Sequence, residues 1–122
     1  MMKRNVFGQP LQPCLCGLTQ TTGYRRDGYC SLDGTESGTH TVCAVVTKEF
    51  LEYTRSQGND LITPTRFFRG LKPGDCWCLC VGRWIQAYKA GVAPYIVLKS
   101  TDESVLQYIP KSVLKDYSVK KI

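Results

Sequence analysis

The sequence of 122 residues lacks any apolar stretch that approaches the roughly 20 residues of a transmembrane helix. Residues 1–10 also lack the apolar run of a secretory signal peptide. We therefore expect a cytoplasmic protein that does not enter a membrane. Because the cytoplasm keeps thiols reduced, the seven cysteines predict free thiols, metal ligands or core packing rather than a disulfide framework.

Long runs of like charge are also missing, although Lys and Arg outnumber Asp and Glu by 16 to 10 and the net charge is +6. Nucleic-acid-binding tails usually carry blocks of about five or more basic residues. Here the termini carry the basic pairs Lys3-Arg4 and Lys120-Lys121, and no run of basic residues is longer than two. A positive balance can attract nucleic acid or anionic ligands, but the basic residues are spread thinly, so we do not expect nucleic acid as a partner.

The length and the ordinary content of apolar and charged residues predict one folded domain over 1–122. Residues 1–39 are rich in Gly, Thr, Pro and Cys and contain too few apolar residues for a core of their own. They predict an irregular N-terminal wrap with turns at Asp27-Gly28 and Asp33-Gly34. Regular structure is expected in the strand–helix body, residues 40–122.

Two units in this body share the order of strand, abrupt turn and amphipathic helix. Thr41–Val46 is followed by a helix to Gln57, and Cys76–Val81 by a helix to Ala90. Strand–helix–strand connections favour parallel pairing, so we expect an α+β fold with a small mixed sheet. The further predicted elements are a strand at Tyr95–Lys99, a capped turn at Ser100–Glu103, an edge strand at Leu106–Ile109 and a helix from Pro110 to Tyr117.

A cation stands early in each of the two predicted helices. Lys48 follows Thr47, and Arg83 follows Gly82. Positive charge in a first turn opposes the helix dipole by about 0.3–1 kcal/mol, so two such cases indicate an anion-binding edge, with side chains lying in solvent as the alternative. If the strands are parallel, both helix starts lie at one edge of the sheet. The ligand-binding residues predicted for that edge are His40, Lys48, Asn59, Asp60 and Arg83.

Three cysteines, Cys76, Cys78 and Cys80, alternate along one predicted strand and therefore share a face. Successive members lie about 6.6–7 Å apart, too far to share a metal without other segments. The sequence contains no C-x2-C knuckle, so core packing and reactive thiols stand beside zinc binding as interpretations. The candidate metal ligands are Cys14, Cys30, His40, Cys43, Cys78 and Cys80.

A series of motifs in one order characterises most of the chain: Arg26-Asp27-Gly28, His40-Thr-Val-Cys43-Ala44, Gly58-Asn59-Asp60-Leu61, Gly70-Leu-Lys72-Pro73-Gly74-Asp75, Trp77-Cys78-Leu79-Cys80 and Gly91-Val-Ala-Pro94. In these motifs the chain resembles the uncharacterised bacterial family called domain of unknown function 2237. The resemblance implies no activity.

The resemblance also divides the cysteines into those that match the family pattern and those that do not. Those that match the family pattern are Cys14, Cys30, Cys43, Cys78 and Cys80, whereas Cys16 and Cys76 lie outside it. Members of the family often carry Thr-His where this chain has Thr101-Asp102, so a role for that histidine does not apply here.

Three functions follow from these patterns, and no motif identifies a catalytic reaction. The first is a binding module or small enzyme that holds an anionic small ligand. The second is a zinc-binding or thiol-dependent protein that uses its cysteines. The third is a protein–protein adaptor.

Overall fold

The computed structural model describes residues 3–14, 28–31, 40–66 and 68–119. Its strands are β1 (His40–Val45), β2 (Cys76–Cys80) and β3 (Tyr95–Ile96). Its α-helices are α1 (Lys48–Ser56), α2 (Val81–Lys89) and α3 (Lys111–Asp116), and two 3-10 turns span Leu98–Ser100 and Glu103–Gln107. These elements confirm an α+β fold. None of the described helices has the length and apolar character needed to cross a bilayer.

The sheet has the order β2-β1-β3, and both pairings are antiparallel. The expected parallel pairing of β1 and β2, and with it the mixed sheet, is therefore wrong. The reason is the long connection 57–75, which leads the chain back to the end of β1 before β2 begins. There Gly74 N–H donates to the Val46 carbonyl at 2.9 Å, and Val46 N–H donates to the Asp75 carbonyl at 2.9 Å.

The two helices that follow these strands begin and end as the sequence predicts. Thr47 caps α1, since its Oγ1 accepts a hydrogen bond from Phe50 N–H at 3.1 Å. Helix α2 ends before Gly91, whose φ of +78° lies in the left-handed region that favours glycine. Helix α2 packs against β1 and β2, and α1 packs against α2. The buried side chains Phe50 of α1 and Trp84 of α2 belong to the same apolar core.

The two faces of the sheet carry different side chains because neighbouring residues of a strand point to opposite sides. Val42 and Ala44 of β1, with Trp77 and Leu79 of β2, belong to the main apolar core with the helices. Cys43 of β1, with Cys76 and Cys78 of β2, belongs to a second cluster on the other face. The sheet thus separates an apolar core from a cysteine-rich one.

The chain from β3 to α3 differs in part from the predictions. The strand predicted for Tyr95–Lys99 is shorter, since β3 spans Tyr95–Ile96. The predicted edge strand Leu106–Ile109 is wrong, because a 3-10 turn occupies Glu103–Gln107. Asp102 caps this turn by accepting from Ser104 N–H at 2.9 Å. The last helix follows Pro110 as predicted.

The N-terminal segment 3–14 lies along residues 99–103 and is held there by backbone hydrogen bonds. Val6 N–H donates to the Thr101 carbonyl at 3.1 Å, and Gln12 N–H donates to the Lys99 carbonyl at 3.1 Å. Asn5 is almost fully buried, with 1% of its surface exposed. Its Oδ1 accepts from Phe7 N–H at 2.9 Å and Gln9 N–H at 3.1 Å. Its Nδ2 donates to the Lys99 carbonyl at 3.1 Å, so a single amide orders the segment and attaches it.

We predict that Asn5→Ala lowers the free energy of unfolding by about 1–3 kcal/mol, because it removes the acceptor of the partly buried Phe7 and Gln9 N–H groups and the donor to the Lys99 carbonyl. Chemical denaturation with far-UV circular dichroism measures the change. Gln12→Ala is the matched control, since its exposed side chain only contacts the Pro10 carbonyl at 3.4 Å. Equal stability of the two variants would contradict this role of Asn5.

Candidate functional site

The face of the sheet opposite the helices places cysteines in register. Cys43 of β1 lies directly opposite Cys78 of β2, and Val45 lies opposite Cys76. Directly opposed residues of antiparallel strands have Cβ atoms about 4.5–5.5 Å apart on the same face. The register therefore brings Cys43 and Cys78 together and places Cys76 at the diagonal position.

Two further cysteines reach this face from the N-terminal part of the chain. Cys14 is held by its N–H, which donates to the Gly28 carbonyl at 2.6 Å. Cys30 forms a parallel bridge with Thr101. We call Cys14, Cys30, Cys43, Cys76 and Cys78 together the cysteine cluster, and each of them is at most 2% exposed.

Disulfide bonds connect members of the cysteine cluster. Cys14 is bonded to Cys43, and Cys30 to Cys78, with Cα–Cα distances of 5.7 and 5.2 Å. Cys76 is also disulfide-bonded. The expectation that these cysteines are reduced is wrong for this structure, because the fold brings the paired Cα atoms within the range that a disulfide requires.

The sulfur atoms of separate disulfides also lie close to one another. The Sγ atoms of Cys14, Cys30 and Cys78 are all within 4.8 Å of one another, and so are those of Cys14, Cys43 and Cys76. Cys14 belongs to both groups, so its sulfur lies beside the Cys30–Cys78 disulfide while bonded to Cys43. The sulfurs therefore form one connected cluster centred on Cys14.

A buried threonine that the sequence analysis did not single out as a site residue supports the cluster. The Thr101 hydroxyl accepts from Cys43 N–H at 3.1 Å and donates to the Val97 carbonyl at 2.9 Å. Val97 N–H in turn donates to the Cys43 carbonyl at 2.8 Å. The sequence signal that could have identified Thr101 is its place in the Thr101-Asp102 motif. Thr101 fixes the backbone of the residue that carries the Cys43 sulfur.

Two predicted metal ligands, His40 and Cys80, lie outside both sulfur groups. They are paired with each other at the end of the β1–β2 ladder. Cys80 carries a free thiol and is partly buried. Of the six predicted metal ligands, the structure thus brings together Cys14, Cys30, Cys43 and Cys78, and it adds Cys76.

The predicted anion site depended on parallel strands, and its two cations do not converge. Lys48 follows the end of β1 that pairs with Cys76, whereas Arg83 follows the opposite end of β2. The five residues of β2 separate these ends by about 13 Å. Arg83 donates instead to the Gln57 carbonyl at 3.1 Å, where its charge complements the negative end of the α1 dipole.

The two polar loop residues of the same predicted site stabilise the chain after α1. Asn59 Nδ2 donates to the Thr54 hydroxyl at 3.1 Å. Asp60 Oδ1 accepts from Thr63 N–H at 3.0 Å and Ile62 N–H at 2.9 Å. A hydrogen bond from the Thr63 side chain, together with these two backbone bonds, holds the pKa of Asp60 below its ordinary value. Binding of an anion by this set stays a prediction.

An aromatic surface is the feature relevant to the adaptor hypothesis. The Tyr117 ring lies 5.7 Å from that of Tyr88 and 6.2 Å from that of Tyr95, between centroids. Tyr88 and Tyr95 are exposed. Beneath them Trp84 is anchored, since its Nε1–H donates to the Pro94 carbonyl at 3.0 Å. Binding of a protein partner to this exposed aromatic surface stays a prediction.

We predict that reduction of the disulfides lowers the free energy of unfolding by several kcal/mol. The pairs are separated by 29 and 48 residues in sequence, and closing such loops in the unfolded chain contributes roughly 3–4 kcal/mol each. Urea denaturation with and without a phosphine reductant measures the change. Cys80→Ser, which removes only a free thiol, is the control and should unfold like the unmodified chain. Identical curves in both conditions would show that the disulfides do not stabilise the fold.

Comparison with known proteins adds a family but no activity. No curated protein matches the chain. Residues 4–118 match the model of a family described as an uncharacterised protein conserved in bacteria, DUF2237. This match includes every described member of the cysteine cluster. The chain belongs to the DUF2237 family.

Proposed function

We propose that the protein is a cytoplasmic redox switch that acts by thiol–disulfide exchange within its cysteine cluster. One observation carries this proposal. The Cys14 sulfur is bonded to Cys43 and yet lies within 4.8 Å of the sulfurs of Cys30 and Cys78, which form another disulfide. Exchange requires a thiolate beside a disulfide. The Cys30–Cys78 bond is the disulfide, and reduction of the Cys14–Cys43 bond would supply the Cys14 thiolate beside it.

The exchange is balanced in atoms and electrons. A dithiol reductant transfers two electrons and two protons to the Cys14–Cys43 disulfide and leaves as its own disulfide. The Cys14 thiolate then attacks Cys30, a Cys14–Cys30 bond forms, and Cys78 leaves as a thiolate that takes up the proton lost by Cys14. The second step consumes no reductant, since one disulfide replaces another.

The exchange would change how the N-terminal part of the chain is held. The Cys14–Cys43 and Cys30–Cys78 disulfides connect this part to the sheet, because Cys14 and Cys30 precede β1 while Cys43 and Cys78 lie on strands. A Cys14–Cys30 bond would connect the N-terminal part only to itself. Two covalent ties to the sheet would be lost, so redox state is converted into a change of conformation.

The proposed cytoplasmic location agrees with this function. Cytoplasmic disulfides of most organisms are transient and serve catalysis or redox sensing. A buried cluster whose cysteines can pair in more than one way suits such a role better than a purely structural disulfide would. Reduction of one bond in the cluster would lead to rearrangement of another. The hydrogen bonds of segment 3–14 to residues 99–103 would persist and keep it docked during the switch.

We predict that Cys43→Ser causes Cys14 to form a disulfide with another member of the cysteine cluster. The substitution removes the partner of Cys14 and leaves its thiolate beside the Cys30–Cys78 disulfide. Peptide mass spectrometry under non-reducing conditions, after alkylation in acid to stop exchange, identifies the new pair. Circular dichroism verifies that the variant is folded.

Cys80→Ser is the matched control for this mapping. Cys80 lies on the same strand as Cys78 but belongs to neither sulfur group, so the disulfide map of this variant should equal that of the unmodified protein. A folded Cys43→Ser protein in which Cys14 remains a free thiol and Cys30–Cys78 stays intact would contradict the proposed exchange.

A further inference from the structure

We infer that the reduced cysteine cluster binds one zinc ion and that Cys14 is the ligand common to two alternative ligand sets. The inference rests on the proposed function in that a dithiol must be able to open the disulfides. It goes beyond that function because it assigns the cluster a ligand. The two sets are Cys14, Cys30 and Cys78, and Cys14, Cys43 and Cys76.

Reduction would bring the sulfurs of each set into the range of a tetrahedral metal site. Thiolates bind zinc at about 2.3 Å, so two sulfurs of one tetrahedral site lie about 3.8 Å apart. In each set two sulfurs are joined by a disulfide, Cys30–Cys78 or Cys14–Cys43, and the third sulfur lies within 4.8 Å of both. After reduction the formerly bonded pair must move apart to reach that spacing, whereas the third sulfur is already close to it. The fourth position is open to another sulfur of the cluster or to water.

The arrangement along β2 removes the main objection to a metal site on this strand. Cys76 and Cys78 alternate and are too far apart to approach one ion easily. Each ligand set contains only one of them, and the other ligands come from separate segments. Cys14 joins either set because it lies between them.

The chemistry of the ligands selects the metal. Both sets consist entirely of thiolates, which favour soft or borderline ions such as Zn²⁺ over Mg²⁺ or Ca²⁺. Their members are at most 2% exposed, with Val97 in the same cluster. Three buried thiolates without a counter-charge would be strongly unfavourable, and a divalent cation removes that penalty.

The coupling of redox state to metal binding is balanced as well. Each disulfide takes up two electrons and two protons from the dithiol reductant and becomes two thiols. Zinc then replaces one proton on each ligating thiol and releases it to solvent. Oxidation reverses the sequence, since the sulfurs that form disulfides are no longer available to the metal.

Cobalt provides the probe, since Co²⁺ occupies tetrahedral thiolate sites and reports them by absorption. The full chain is reduced with a phosphine under argon and titrated with Co²⁺. We expect sulfur-to-cobalt charge-transfer absorption and strong visible d–d bands that saturate at one equivalent and disappear when Zn²⁺ is added. A fully reduced chain that shows no such bands would overturn the inference.

Variants identify the ligands. Cys14→Ser removes the ligand shared by both sets and should weaken Co²⁺ binding at least tenfold. Cys80→Ser should bind like the unmodified chain, since Cys80 belongs to neither set. Folded Cys14→Ser protein with unchanged affinity, or loss of binding in Cys80→Ser, would each overturn the assignment.

A measurement on the unmodified chain decides the question if Cys14→Ser does not fold. The alkylation rate of each cysteine is compared in reduced protein with Zn²⁺ and with a chelator. Zinc should slow the alkylation of Cys14 at least tenfold and leave that of Cys80 unchanged. Equal rates for Cys14 in the two conditions would overturn the inference.

The outcomes separate this inference from the proposed function. Chemical reduction opens the disulfides whether or not they exchange internally. Cobalt binding without disulfide rearrangement in Cys43→Ser would contradict the exchange alone. Rearrangement without cobalt binding would contradict the zinc site alone.

Discussion

The antiparallel register of β1 and β2 is the constraint on which the rest of the structure depends. It sets Cys43 opposite Cys78 and leaves Cys76 at the diagonal position. Because side chains alternate, the same register turns Val42 and Leu79 towards the helices. A shift of one residue would exchange these faces, placing cysteines in the apolar core and large apolar side chains under the N-terminal segment.

The two faces of the sheet are stabilised in different ways. The helical face is an ordinary apolar core, closed by Phe50, Trp84 and their neighbours. The other face is covered by chain without regular secondary structure, which is held by backbone hydrogen bonds, by Asn5 and by disulfides. The described disulfides lie on the second face, so the proposed redox switch would act first on that face.

Local elements could be predicted from the sequence because their signals are local. Thr47 as a cap and Gly91 as a stop act within one helical turn, and both were predicted correctly. The direction of β2 could not be read in this way, since it is set by the path of residues 57–75, where Gly74 returns to Val46. Because β2 runs antiparallel to β1, Arg83 and Lys48 lie at opposite ends of the sheet, and the predicted convergence of the two cations fails.

The cysteine cluster was partly predictable for a similar reason. Alternation along a strand indicates that Cys76 and Cys78 share a face, but it does not reveal which distant cysteines meet them. Residues 14 and 30 reach the sheet through contacts with Gly28 and Thr101, which no periodicity in the sequence encodes. The expected cytoplasmic location argued for reduced thiols, and the structure shows bonded ones.

The central claim is that redox state controls the layer over the cysteine face and not the helical layer. Amide hydrogen exchange followed by NMR tests it most directly in oxidised and reduced protein. Reduction should accelerate exchange at Cys14, whose N–H donates to Gly28, at least tenfold more than at Leu51, whose N–H donates to Thr47 at the start of α1. Unchanged exchange at Cys14, or equal acceleration at both amides, would contradict the account.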